Sequence, residues 1–312
     1  MNVSSSPLVQ QATVARRRPH LAIVWLVAIA TIVVGQLVGG VVAEAITGHG
    51  VDGSVASQWN QVITNGFTLM LLASWVLIYE RRSFWSLGLL DRLGAGRFAA
   101  GLLGGMLLFA VPLGLLVLLG QYDDTATGGH TTVGAAAVWI VVSLLPMWFV
   151  QATTEEVVTR GYLLQWHGLK LTNGLLAVLL PSIGFAVVHL DFHPIVLINI
   201  TLVGLLFSFL SLAQGSIWLA AGVHTGWNMA QGNIFGIPVS GGAYDVTVFA
   251  FGPTDGAADV LTGGDFGIEG GLAATVVLVV ATSVSFRYYR RTEATRTSTG
   301  DGVDVTAQPT EA

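Results

Sequence analysis

Residues 21–43 read LAIVWLVAIATIVVGQLVGGVVA, 23 residues without a single charge. A helix needs about 20 such residues to cross the hydrocarbon core of a bilayer. Arg16, Arg17 and Arg18 stand just before the run, the order found in a signal peptide. A signal's apolar region is only about 7 to 15 residues long, however. The stretch therefore reads as a retained first span.

The rest of the chain agrees. Of its 312 residues 53% are hydrophobic and 10% charged, with a mean hydropathy of +0.71, whereas a soluble domain is about one quarter charged. There is no cysteine, which excludes a disulfide framework, a thiolate zinc site and a thiol nucleophile. Chemistry must come from carboxylates, histidines, hydroxyls or amides.

Comparable apolar runs follow near 61–79, 98–119, 134–152, 174–190, 194–213, 215–232 and 270–287. The expected fold is thus all-α, a polytopic bundle of eight transmembrane helices. The basic residues test the count. Arg16, Arg17, Arg18, Arg81, Arg82, Arg92, Arg97, Arg160, Lys170, Arg287, Arg290, Arg291 and Arg296 all fall on one side of an eight-span arrangement, and the opposite connections hold acids only. Basic residues collect in cytoplasmic loops, so both termini are expected in the cytoplasm. The division is a cytoplasmic tail over 1–20, a membrane domain over 21–290 and a disordered polar tail over 291–312. Residues 80–97, which mix arginines with Trp85, are expected as an interfacial helix. The Gly- and Asp-rich stretch 233–269 is an outer loop, either a lid or a slack connection.

Ionisable groups inside spans cost about 2.5 to 3.5 kcal/mol each on the insertion scale, so three clusters stand out. EEVVTRGYLL, residues 155–164, sets Glu156 and Arg160 four apart on one helical face, where they can pair. Glu155 lies about 100° around the helix, without a partner of its own in that segment. The bland reading is an ordinary charged helix end. FAVVHL sets Phe185 and His189 four apart, and HTGWN does the same for His224 and Asn228 in the middle of a span. Their bland readings are a packed core histidine and interhelical glue worth about 0.6 kcal/mol per hydrogen bond. His189 and His193 do not make a zincin pair, because Leu190 holds the place of the glutamate and Pro194 turns His193 out of helical geometry. Together the clusters supply a carboxylate, two imidazoles and an amide, a set able to activate water and stabilise an oxyanion.

In this order, Glu155-Glu156…Arg160, Phe185…His189 and His224…Asn228 resemble the CAAX prenyl protease and bacteriocin-processing (CPBP, or Abi) family of intramembrane proteases. The likeness covers residues 134–235. One departure is Thr159, where the family usually carries an aromatic residue before the arginine. The resemblance implies an endopeptidase cutting a membrane-associated protein or peptide. Glu155 and His189 would hold and deprotonate a water, His224 and Asn228 would donate to the oxyanion, and Glu156, Arg160 and Phe185 would support the site. A desolvated Glu155 suits a general base, since burial raises a glutamate's pKa.

No cofactor is required by this reading. If a divalent metal such as zinc binds, Glu155, His189 and His224 are its expected ligands, and the protein would be a metalloprotease. The expected location is a prokaryotic plasma membrane, and no nucleic-acid partner is implied. Two alternatives come from other classes: a non-catalytic immunity or scaffold protein of the same fold, and a transporter using the acids and histidines as a proton relay. The second lacks the internal repeats of many transporters. One geometric tension stands: Glu155 falls toward the cytoplasmic end of its span and His189 toward the outer end of the next. The two meet only if the fourth span starts late or breaks near Pro146, or if the fifth begins inside the connection.

Overall fold

The computed structural model describes residues 1–48, 51–124 and 129–298. Among these residues nine helices build the bundle: α1 (Leu21–Thr47), α2 (Val55–Glu80), α3 (Gly94–Leu118), α4 (Gly134–Ser143), α5 (Leu145–Lys170), α6 (Gly174–Val187), α7 (Pro194–Gln214), α8 (Trp218–Met229) and α9 (Leu272–Ser298). Their ends follow local chemistry. The Ser54 hydroxyl caps α2, accepting from Ser57 N–H at 3.2 Å, and Asn173 caps α6 through Leu175 N–H and Leu176 N–H. Such caps satisfy donors that the first helical turn leaves open. Gly215, at φ +72°, closes α7 in the left-handed conformation that glycine takes without strain.

Five helices, α1, α2, α3, α7 and α9, are long and apolar enough to cross a membrane; α4 and α5, bent by 49° at their junction, make a sixth if counted as one span. This is an integral membrane protein. The eight expected runs do all become helical, but two fall short as spans by length or composition. At 14 residues, α6 reaches about 21 Å at 1.5 Å per residue, less than the roughly 30 Å of hydrocarbon. α8 carries His224, Thr225 and Asn228 in its middle, so it is too polar to face lipid. It is instead enclosed: Ala220 to Gly222 and His224 to Met229 are all buried.

Close backbone approach makes that enclosure. α3 crosses α8 at Gly101 and Gly105 against Gly222 and Gly226. A Cβ on Gly105 would stand 2.1 Å from the Val223 carbonyl oxygen, and one on Gly226 2.1 Å from that of Leu102. Small residues spaced four apart permit such contact between membrane helices.

The two faces of the bundle differ. At one end Arg82 bonds Gln165, Arg97 bonds the Gln214 carbonyl and Arg296 bonds the carbonyls of Leu212 and Ala213. The first residues dock at the same end: Val3, Leu8, Val9 and Ala12 are buried, and the Leu8 carbonyl accepts from Gln165 at 2.9 Å. At the other end the 233–269 stretch is a built loop. β1 (Tyr122–Asp123) pairs antiparallel with β4 (Gly252–Pro253), and β2 (Thr132–Val133) pairs parallel with β3 (Val246–Thr247). Asn233 bonds the Val246 carbonyl, and Asp245 N–H bonds Gly53.

Two expectations need correction. Residues 80–97 do not form an interfacial helix; Arg81 (φ 54°) and Gly88 (φ 82°) turn the chain, leaving only the 3-10 turn Phe84–Ser86 before α3 starts at Gly94. The final helix continues to Ser298, past the point where a disordered tail was expected to begin, and residues 299–312 lie outside the described residues.

Candidate active site

The bend before α5 settles the tension over depth. Pro146 occupies the first turn of α5, where its missing N–H costs nothing. The helix then runs unbroken through Glu155 and Arg160 to Lys170, so the acids lie near its middle and not at its end. From Val157 to Leu164 it widens into a π-helical stretch, a distortion often found at functional sites. His189 lies just beyond α6, in a turn closed by its own N–H to the Ala186 carbonyl at 3.2 Å. His224 and Asn228 stand on α8.

These elements surround one cavity of about 210 Å³, lined by Glu155, His189, His224 and Asn228 among others. The sequence-selected residues therefore come together. Glu156 is fully buried and holds the core of the arrangement. Its Oε1 accepts from Arg160 at 2.9 Å and from His224 Nδ1–H at 3.0 Å. Arg160 also donates to Thr159 Oγ1 at 2.7 Å and to the Gly204 carbonyl at 3.1 Å, and its guanidinium lies over the rings of Phe185 and Phe207 at 4.6 and 5.2 Å. A buried charge needs partners of this kind, and they gather on Oε1 alone, since Glu156 Oε2 is buried without one. Thr159, the departure from the family pattern, gives its own hydroxyl hydrogen to the Glu155 carbonyl at 2.5 Å. It thereby links the guanidinium to the backbone that carries the acid.

Glu155 differs from its neighbour. Its side chain is 31% exposed, and its Oε2 lies 3.7 Å from His224 Nε2. Its partner lies one turn back, outside the 155–164 stretch: Gln151 Nε2–H donates to Oε1. Gln151 also accepts from Asn228 Nδ2–H at 3.2 Å, so one amide connects the acid to the asparagine. His189 donates Nδ1–H to the Phe185 carbonyl at 2.7 Å, which leaves Nε2 as an acceptor toward the cavity.

Sequence reasoning missed Gln151, Ser240, Tyr244 and Glu269, all of which line the same cavity. Gln151 was findable, lying one helical turn before Glu155. The loop residues were not, because no periodicity brings them there. Glu269 is buried, accepting from Ser240 N–H at 2.6 Å and Ser240 Oγ–H at 2.7 Å. Burial pushes its carboxyl above the usual glutamate range, against the Ser240 bonds and the nearby His189, which pull it down.

Among the described residues no three His, Asp or Glu side chains gather as a metal-ligand set. Of the Glu155, His189 and His224 set expected for a metal, His224 Nδ1 is committed to Glu156, His189 Nδ1 to the Phe185 carbonyl and Glu155 Oε1 to Gln151, which leaves the two Nε2 atoms and Glu155 Oε2 as the atoms that would hold one.

Fold and site thus define a membrane-embedded helix bundle that encloses an acid, two imidazoles and an amide. Residues 137–230 match the family model described as type II CAAX prenyl endopeptidase Rce1-like. That stretch, which holds every motif residue from Glu155 to Asn228, is similar to the CAAX protease-like CPBP family. No curated protein and no solved structure matches it.

Proposed function

We propose that the protein is an intramembrane endopeptidase that hydrolyses a peptide bond of a membrane-associated substrate. The observation that carries this reading is the shared cavity, in which Glu155 and His189 face His224 and Asn228. A water held between Glu155 and His189 Nε2 loses a proton to Glu155, and its oxygen attacks the scissile carbonyl carbon. The oxyanion takes hydrogen bonds from Asn228 Nδ2–H and His224 Nε2–H. That second donor requires the imidazolium form, which the carboxylates of Glu155 and Glu156 flank. The intermediate then collapses, the C–N bond breaks, and the departing nitrogen receives the proton held by Glu155. A general base of this kind contributes about 10² to 10⁴ in rate, and one oxyanion donor about 10² to 10³. No step passes through a metal.

The full proposal places both termini in the cytoplasm, with eight helical passes in a prokaryotic plasma membrane. The grouping of Arg82, Arg97 and Arg296 at one end of the bundle supports that orientation. One observation favours the non-catalytic binder: Gln151 already engages both Glu155 and Asn228, so its bonds must open before substrate enters. The deciding experiment uses the purified chain in liposomes with a helical reporter peptide, read by mass spectrometry. Cleavage by wild type and none by Glu155→Gln is expected. Equal cleavage by both removes Glu155 from water activation, and capture of the reporter without cleavage favours the binder.

A further inference from the structure

Glu155, Phe185 and His189 border a second space. Beside the inner cavity lies a groove of about 240 Å³ whose far wall is Ile32 and Gln36 of α1 with Asn65 and Thr68 of α2. Both helices lie outside the family-matched stretch.

The groove carries polar side chains where a membrane surface should hold almost none. From Ile32 to Ala43, α1 holds one polar side chain, Gln36, and its neighbours Val33, Val34 and Leu37 are exposed, as lipid-facing residues are. Gln36 is exposed as well, yet among the described residues its amide has no hydrogen-bond partner. Backbone and side-chain amides left unpaired in hydrocarbon are costly. Asn65 is buried and gives Nδ2–H to the Gln61 carbonyl at 2.8 Å, leaving its oxygen toward the groove. The placement is rigid. A Cβ on Gly35 would stand 2.3 Å from Thr68 Oγ1, and one on Gly39 2.6 Å from Thr64 Cα. α1 therefore lies against α2 at backbone distance, with Gln36 fixed at the rim.

We propose that this groove is a peptide-binding subsite, in which Gln36 and Asn65 hydrogen-bond the backbone of an extended substrate segment beside Glu155 and His189. A carboxamide both donates and accepts, as a peptide unit does. The groove has no Lys or Arg in its lining, so it offers no cation to a lipid phosphate. The bond to be cut would thus lie between two spaces, one for the chain on each side of it. This assignment rests on the proteolytic reading. It makes Gln36 a positioning residue that does no chemistry.

The absence of cysteine makes a direct test available. Gln36→Cys, Asn65→Cys and the lipid-facing control Leu37→Cys are made in the full chain, reconstituted in liposomes and treated with a water-soluble maleimide. A thiol reacts as its thiolate, which hydrocarbon suppresses. Labelling at position 36 at least about tenfold faster than at 37 is expected, with about threefold protection by a blocked seven-residue Ala/Leu peptide. Equal rates at 36 and 37 overturn the polar groove, and fast labelling without protection overturns the peptide as occupant. The same protection measured in a Glu155→Gln background needs no catalysis, so loss of the proteolytic reading and loss of the subsite give different results. In reporter cleavage, Gln36→Leu should raise KM about tenfold with kcat kept, and Gln36→Asn should restore it. A fall in kcat alone would contradict a positioning role.

Discussion

Glu156 Oε1 lies 3.0 Å from His224 Nδ1, so the first and third motifs share one hydrogen bond, in addition to the 2.9 Å bond from Arg160. The buried glutamate is therefore the mechanical centre of the site, while its half-buried neighbour Glu155 keeps Oε2 for chemistry.

That division predicts two kinds of loss. Glu155→Gln should eliminate reporter cleavage by about 10² to 10⁴ with normal yield of folded protein, because its side chain bonds only at the cavity surface. Glu156→Gln and His224→Ala should both lower folded yield and melting temperature. Each strips a partner from a buried charged group, and breaking such a pair costs about 3–5 kcal/mol. Size-exclusion recovery and thermal melts in detergent separate the classes. A stable Glu156→Gln would contradict its bracing role.

The crossing of α3 and α8 sets the position of His224 and Asn228, and it depends on glycine. Gly105→Leu or Gly226→Leu should destabilise the fold and stop cleavage, since the added Cβ meets a carbonyl oxygen at 2.1 Å in either case. Gly104→Leu, one residue away with open space around it, should melt within about 2 °C of wild type, as surface changes usually do. Melting curves of the three variants check this.

At the basic end, Asp91 ties the α2–α3 connection to the start of α8. Its Oδ2 accepts from Ser216 Oγ–H and Arg97, each at 2.6 Å. Partial burial alone would raise its pKa, but those bonds, together with Leu93 N–H, outweigh it and hold the carboxyl below the ordinary 3.8. An acid with a depressed folded pKa stabilises above its unfolded value and loses that contribution as pH falls through the folded one. Asp91→Asn should therefore melt below wild type at neutral pH, with the gap closing below about pH 4. A gap that persists in acid would assign the effect to shape and not to charge.

How much of this was legible differs by element. The apolar runs located every membrane helix because lipid imposes a strong compositional rule. They did not show that α8 is enclosed, because a helix buried in protein and one buried in lipid both read as apolar. Glu156 and Arg160 were readable from spacing alone. Gln151 was within reach of the same argument. Gln36 was hidden in a run whose other residues settle its reading as a span. The loop contributions of Ser240 and Glu269 depend on long-range closure across a Gly-rich stretch, which carries no periodic signal.

Glu269 gives the last prediction. Burial places its folded pKa above the ordinary 4.5. The fold therefore favours the neutral acid, and stability is greatest below the unfolded value and falls as pH rises through the folded one. Glu269→Gln keeps an oxygen for Ser240 N–H and Oγ–H and removes the charge that ionisation would bury. Wild type and variant should melt together near about pH 4, with the variant melting higher at about pH 9. Asn199 secures the same turn from below, giving Nδ2–H to the carbonyls of Glu269 and Gly271 at 2.9 Å each, so Asn199→Ala should lower the melt at both pH values alike. The two variants thus separate charge from anchoring. A Glu269→Gln protein less stable than wild type at high pH would mean that the ionised acid is required for a partner inside the cavity, and the buried carboxylate would then count among the groups that hold the site together.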